Sequence, residues 1–236
     1  MGRSVVLAKT PRCGGCRFPP RWCICEGFEA IDCPLQIEVL IHHREYWRPT
    51  STGRLINRVI PSSRGHVYRH DLPVTPAAVK RPDRELWILH PLGETIAPRE
   101  KPEGLQVLLL DGSWREAARM MHEVKGWGRL VNLPMTGPSR YLLRDQQEAG
   151  KYSTAEALLF LLSALGMPGE HARLRRQFEL HVYAGLRARG EKAAAEEFLS
   201  ASPVRDAFPE LLRKLTEKRP RLGELPPAAG RPQAGS

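Results

Sequence analysis

Short apolar runs closed by turn residues recur along the chain, with helical periodicity between them. Ile37–His42 (IEVLIH) is bounded by Pro34 and a polar segment. Leu86–His90 (LWILH), Val107–Leu110 (VLLL) and Leu130–Leu133 follow, the last closed by Pro134. Runs of this length read as strands buried on both faces, which implies a parallel α/β sheet. Leu55, Ile56, Val59 and Ile60 fall at helical spacing after a Pro-Thr-Ser-Thr-Gly turn and stop at Pro61. Residues 61–83, rich in Pro and Arg, offer one short strand. A helix is predicted from Trp114 to Lys125. Another covers Thr154–Gly166, capped by Ser153 with Glu156 three residues on. Two or three amphipathic helices are predicted in 170–218. The last residues lack apolar periodicity and are predicted to be disordered. The expected division is therefore a cysteine-rich module over 1–33, an α/β domain with C-terminal helices over 34–218, and a tail over 219–236.

In open α/β sheets ligands sit at the carboxyl ends of the strands. His90-Pro91-Leu92-Gly93 and Asp111-Gly112-Ser113-Trp114 occupy two such ends. Neither is a G-x-G-x-x-G, and no Walker A sequence occurs, so dinucleotide and P-loop sites lack support.

Five cysteines fall within residues 13–33 and none follow. Four form Cys13-x2-Cys16-x6-Cys23-x-Cys25. Thiolates at this spacing can wrap one tetrahedral Zn²⁺. Four sulfur ligands leave no open position, so the expected zinc is structural. Cys33 reads as a small apolar residue at a strand entry.

The 236 residues carry 36 basic and 26 acidic groups, a net charge of +10. Arg accounts for 28 of the 36. Its planar fork suits phosphate and base stacking, so RNA or DNA becomes a candidate partner. Residues 1–70 hold 11 basic and 5 acidic residues, and residues 71–150 hold 11 of each. The positive field is thus expected at the two ends. Neither a long apolar run nor a secretion signal is evident, so a soluble, cytoplasmic protein without membrane attachment is expected.

Four features in order resemble one family. They are the cysteine knuckle, Arg48-Pro-Thr-Ser-Thr52-Gly53-Arg54-Leu55, Asp111-Gly-Ser113-Trp114, and Tyr141…Arg144…Ser153-Thr154-Ala-Glu156-Ala. Together they resemble the DTW-domain family, whose characterised members are tRNA-uridine aminocarboxypropyltransferases. Ser113 stands where the family name has Thr. A related enzyme acting on ribosomal RNA also carries Ser there, so the resemblance fixes the reaction better than the RNA.

The resemblance implies a SPOUT-like parallel sheet with a C-terminal trefoil knot. It implies transfer of a 3-amino-3-carboxypropyl group from S-adenosylmethionine to N3 of a uridine in tRNA, releasing methylthioadenosine. No obligate protein partner is implied. Asp111 would be the general base, beside Ser113 and Trp114. The donor would lie among Thr52, Gly53, His90, Pro91, Leu92, Gly93, Leu133, Thr154 and Glu156. Arg54, Arg58, Arg140 and Arg144 are the candidates for RNA phosphate. A SPOUT-type methyltransferase and a non-catalytic zinc-knuckle RNA-binding protein are the competing readings. His42 and His43 read as core or surface residues.

Overall fold

The computed structural model describes residues 10–95, 104–144 and 150–217. The expected tail over 219–236 lies outside them. Five strands form one parallel sheet in the order β2-β1-β4-β3-β5. They are β1 (Gln36–His42), β2 (Arg64–Tyr68), β3 (Glu85–Thr95), β4 (Leu105–Asp111) and β5 (Arg129–Asn132). The helices are α1 (His43–Tyr46), α2 (Thr52–Val59), α3 (Pro76–Val79), α4 (Trp114–Val124), α5 (Thr154–Ala164), α6 (Pro168–Arg189), α7 (Lys192–Ser200), α8 (Val204–Ala207) and α9 (Pro209–Thr216).

The period of two along a strand assigns each side chain to a face. Ile37, Val39 and Ile41 of β1 join Val107 and Leu109 of β4 in the larger core, against α2, α5 and α6. Leu40, Leu108, Leu86 and Ile88 face the other way, against Met120 and Val124 of α4. Asp111, two residues beyond Leu109, therefore points toward the α2 and α5 side.

β1 also buries a charge. Glu38 accepts from Gln36 and Gln106 and lies 2.7 Å from His66 Nε2, so no carboxylate oxygen is stranded.

β3 runs further than its apolar core suggests. Leu89 and Glu94 both register with Val131 of β5, so His90–Gly93 loops out between them. A Cβ on Gly93 would lie 2.5 Å from the Val131 backbone, so only glycine lets the loop return to the sheet here. The expected strand-end loop is thus a bulge within one longer strand.

The C-terminal helices number four among the described residues, α6 to α9, and α6 is not amphipathic. Its residues are buried from Gln177 to Ala188 without interruption. Glu179 and Arg187 are held there by Arg140, Arg175 and Glu196. The cysteine-rich segment packs on this helix. Phe18, Ile24 and Ile31 belong to the same core as the sheet, and the Phe18 ring lies 5.0 Å from His181. No described helix is long and apolar enough to cross a membrane.

Candidate active site

The carboxyl ends of β3, β4 and β5 enclose a pocket of about 140 Å³. The β3 bulge contributes His90 and Pro91, and the chain around β5 contributes Val131, Leu133 and Met135. Helix α4 supplies Ala117 and Ala118, and α5 supplies Thr154 and Ala157. These alanines leave the space, and the lining is chiefly apolar. Burial holds the His90 imidazole below its usual pKa, which favours its neutral form.

Trp114 is the wall between this pocket and a larger cleft of about 840 Å³. Its ring is 43% exposed, so it is not a core residue. Lys151 Nζ lies 5.6 Å from the ring centroid. The cleft is polar and cationic, bordered by Arg44, Arg48, Arg115, Arg119 and Arg144. One tryptophan therefore divides an apolar chamber from a basic one.

Ser113 caps α4. Its hydroxyl and the Glu116 carboxylate complete a reciprocal capping box, and Ser113 Oγ donates to Glu116 Oε2 at 2.8 Å. Burial alone would raise the Glu116 pKa. The Ser113 N–H and hydroxyl outweigh it and hold the carboxyl below its usual range.

Asp111 lies beneath the pocket, 1% exposed. Oδ2 accepts from Ser51 Oγ at 2.8 Å, and Oδ1 accepts from Thr154 Oγ1 at 2.6 Å and Thr52 Oγ1 at 3.5 Å. A Cβ on Gly53 would fall 2.7 Å from the Asp111 side chain. The segment before α2 and the start of α5 are therefore drawn onto one carboxylate. Hydroxyl donors fill it, and it presents no open face to the cleft. This geometry suits an anchor for the surrounding loops better than a base that meets substrate.

A second carboxylate, Glu45, organises the cleft floor. Glu45 accepts from Arg48 at 2.6 Å and lies 3.4 Å from Arg144. Arg144 also donates to the Gly112 carbonyl at 3.2 Å. Burial pushes the Glu45 pKa up, against the pull of Arg144. Arg48 is a local partner three residues on, whereas Arg144 is brought to Glu45 from a distant segment.

The four cysteine sulfurs lie within 4.8 Å of one another. Cys13 and Cys25 are 3.5 Å apart, and Cys16 and Cys23 are 3.8 Å apart. A tetrahedron with metal–sulfur bonds of about 2.3 Å has edges near 3.8 Å, so the donors fit a metal ion such as zinc. A Cys16 backbone N–H holds the Cys13 thiol down to about 6, while burial pushes Cys23 up to about 12. The four sulfurs together could hold such an ion.

Comparison with known families decides the kinship. The family model of the DTW domain matches residues 10–184, well over half of the chain. The chain belongs to the DTW-domain family, that of the tRNA-uridine aminocarboxypropyltransferases. No solved structure matches it. Membership implies a tRNA-modifying function, and the matched segment includes the cysteine cluster, the Asp111 anchor and the pocket.

Within this DTW domain the residues singled out from the sequence separate into groups. His90, Pro91, Leu133 and Thr154 line the pocket with Trp114. Thr52 and Gly53 do not; they pack behind Asp111. Leu92 points outward, 85% exposed, and Gly93 is pressed on β5. Glu156 is a structural clamp rather than a pocket residue: it accepts from the backbone of Ser153 and Arg140 and from Ser139 Oγ. Ser113 belongs to the cleft, not the pocket. Ala117, Ala118 and Met135 were not legible as site residues, because small and apolar side chains carry no chemical signature.

The four arginines expected to meet RNA also diverge. Arg144 borders the cleft. Arg140 is ion-paired with Glu179 and lies over the Phe198 ring, away from the cleft lining. Arg54 and Arg58 stack on Tyr46 and Phe28. His42 is buried, its Nδ1 3.2 Å from Glu116, whereas His43 is exposed.

Proposed function

We propose that this DTW domain transfers the 3-amino-3-carboxypropyl group of S-adenosylmethionine to N3 of an uridine in tRNA. The observation that carries the reading is the contrast across Trp114. S-adenosylmethionine supplies an electrophilic carbon beside a sulfonium, and three different carbons could be attacked. Burying a zwitterionic amino acid group in an apolar chamber costs several kcal/mol, whereas an aromatic base and a methyl group gain from it. The pocket lined by Ala117, Ala118, Leu133 and Met135 thus favours the methylthioadenosine portion. The aminocarboxypropyl chain is left to face the basic cleft, where its carboxylate finds arginine.

Attack by N3 forms a nitrogen–carbon bond as the carbon–sulfur bond breaks. The electron pair returns to sulfur, methylthioadenosine leaves neutral, and the N3 proton passes to solvent through the open cleft. The chain's contribution is alignment and exclusion of water from the buried half. Asp111 is a positioning residue here: with Ser51, Thr52 and Thr154 it sets β4 against α5. Arg144 does the same for the Gly112 carbonyl. N3 is occupied in a Watson–Crick pair, so the target uridine must be unpaired.

The finer fold belongs to the same reading. The sheet, in the order β2-β1-β4-β3-β5, would belong to a SPOUT-type chain whose course after β5 threads a trefoil knot. The cysteine cluster would hold a structural zinc. Ala118→Trp tests the pocket assignment, since an indole would fill it. S-adenosylmethionine and methylthioadenosine should both lose affinity by titration calorimetry while the far-ultraviolet spectrum is unchanged. Undiminished binding of both would remove the pocket as donor site.

A further inference from the structure

We propose that single-stranded RNA is held in one continuous groove between α1 and α4, ending at Trp114. The cleft beside Trp114 and a neighbouring cavity of about 430 Å³ share Arg44, Glu116 and Arg119. The two are therefore one channel. Its far half is bordered by His43, His70 and His122.

The charge in this groove is unbalanced in a way that folding creates. Residues 71–150 are neutral in sum, yet Arg115, Arg119 and Arg144 from that segment all turn to the groove. Most arginines on the C-terminal helices meet a carboxylate: Arg175, Arg176, Arg187 and Arg213 are each ion-paired. Arg44, Arg115 and Arg119 are exposed and make no ion pair among the described residues. Arg48 and Arg144 share the buried carboxylate of Glu45, which leaves a positive surplus among the described residues. The groove's own acids are engaged, Glu116 in the α4 cap and Glu123 with the Tyr68 hydroxyl. Unpaired guanidinium groups around a solvent-filled channel are suited to phosphate oxygens.

Trp114 supplies the second requirement. Unpaired bases are recognised by stacking on aromatic rings, and this ring is exposed at the mouth of the pocket. A base displacing Lys151 from the ring would stand at the boundary with the apolar chamber. This placement differs from that expected from sequence, since Arg54, Arg58 and Arg140 lie outside the groove lining. It rests on the proposed function only in that last step, for RNA affinity does not require transfer.

The test is binding of unfractionated tRNA by fluorescence anisotropy over a salt series, without S-adenosylmethionine. The probes are wild type, the double variant Arg115→Glu/Arg119→Glu, and Arg205→Glu on α8 as a control outside the groove. The double variant should bind roughly tenfold or more weakly at low salt, with the slope of log affinity on log salt reduced by about 1 to 2. The control should match wild type. Equal affinity and slope in wild type and the double variant would overturn the groove. Absence of binding by wild type would overturn both the groove and the choice of RNA. Loss in the double variant, together with a wild type that transfers nothing to tRNA, would uphold the groove and remove the transfer reaction.

Discussion

Thr154 Oγ1 donates a 2.6 Å hydrogen bond to Asp111 Oδ1, joining the first residue of α5 to the last residue of β4. Ser51, the cap of α2, donates to the other oxygen. Three segments far apart in sequence thus depend on one buried carboxylate. Removing it leaves three hydroxyls without their shared acceptor. Asp111→Ala should destabilise the chain by about 2–5 kcal/mol, because hydrogen bonds to a charged group contribute more than neutral ones. Urea unfolding measures this. Affinity for S-adenosylmethionine should fall with it, and a variant as stable as wild type would argue against the anchor.

Gly53 makes a separate prediction. Its position requires no side chain, because a methyl group would sit 2.7 Å from Asp111. Gly53→Ala should cost about 1–3 kcal/mol through overpacking, despite the better helix propensity of alanine. A gain in melting temperature would contradict that contact.

The cysteine cluster should bind one zinc per chain, measured by elemental analysis of purified protein. Cys16→Ser should reduce the zinc content sharply. The knuckle docks Phe18 and Ile24 into the core shared with α6, so metal loss should also lower the melting temperature of the whole chain. An unchanged melting temperature after chelation would show that the docking stands without metal.

Much of the scaffold was legible because its signals are local. The buried runs of β1 and β4 and the Ser153–Glu156 capping box each lie within a few residues. The nature of α6 was not: Glu179 and Arg187 look solvent-facing until Arg140 and Glu196 are brought to them from elsewhere. The same reason hid the fate of Arg140, whose partner lies 39 residues away. The pocket was only half legible. His90, Pro91 and Thr154 carry polar or turn chemistry, whereas the alanines of α4 are silent in a one-dimensional pattern. Asp111 was recognisable as important, but its burial depends on Ser51 and Thr52, which only the fold brings to it.

His181 sets a pH dependence. It is buried in α6 with Nε2 unpartnered, and burial lowers its pKa from 6.5 to about 3. The unfolded chain takes up this proton near pH 6.5 and the folded chain does not. Its contribution is therefore intact above pH 6.5 and is lost as pH falls toward 3. His181→Gln should flatten that slope, whatever its stability at pH 8. Denaturant midpoints from pH 7 to pH 4 compare the two. Parallel curves would contradict the buried neutral imidazole.

The most direct measurement is mass spectrometry of nucleosides and small products after incubating the purified protein with S-adenosylmethionine and bulk tRNA. Aminocarboxypropyluridine together with methylthioadenosine is the expected result. A methylated nucleoside with adenosylhomocysteine would contradict the orientation assigned to the donor across Trp114.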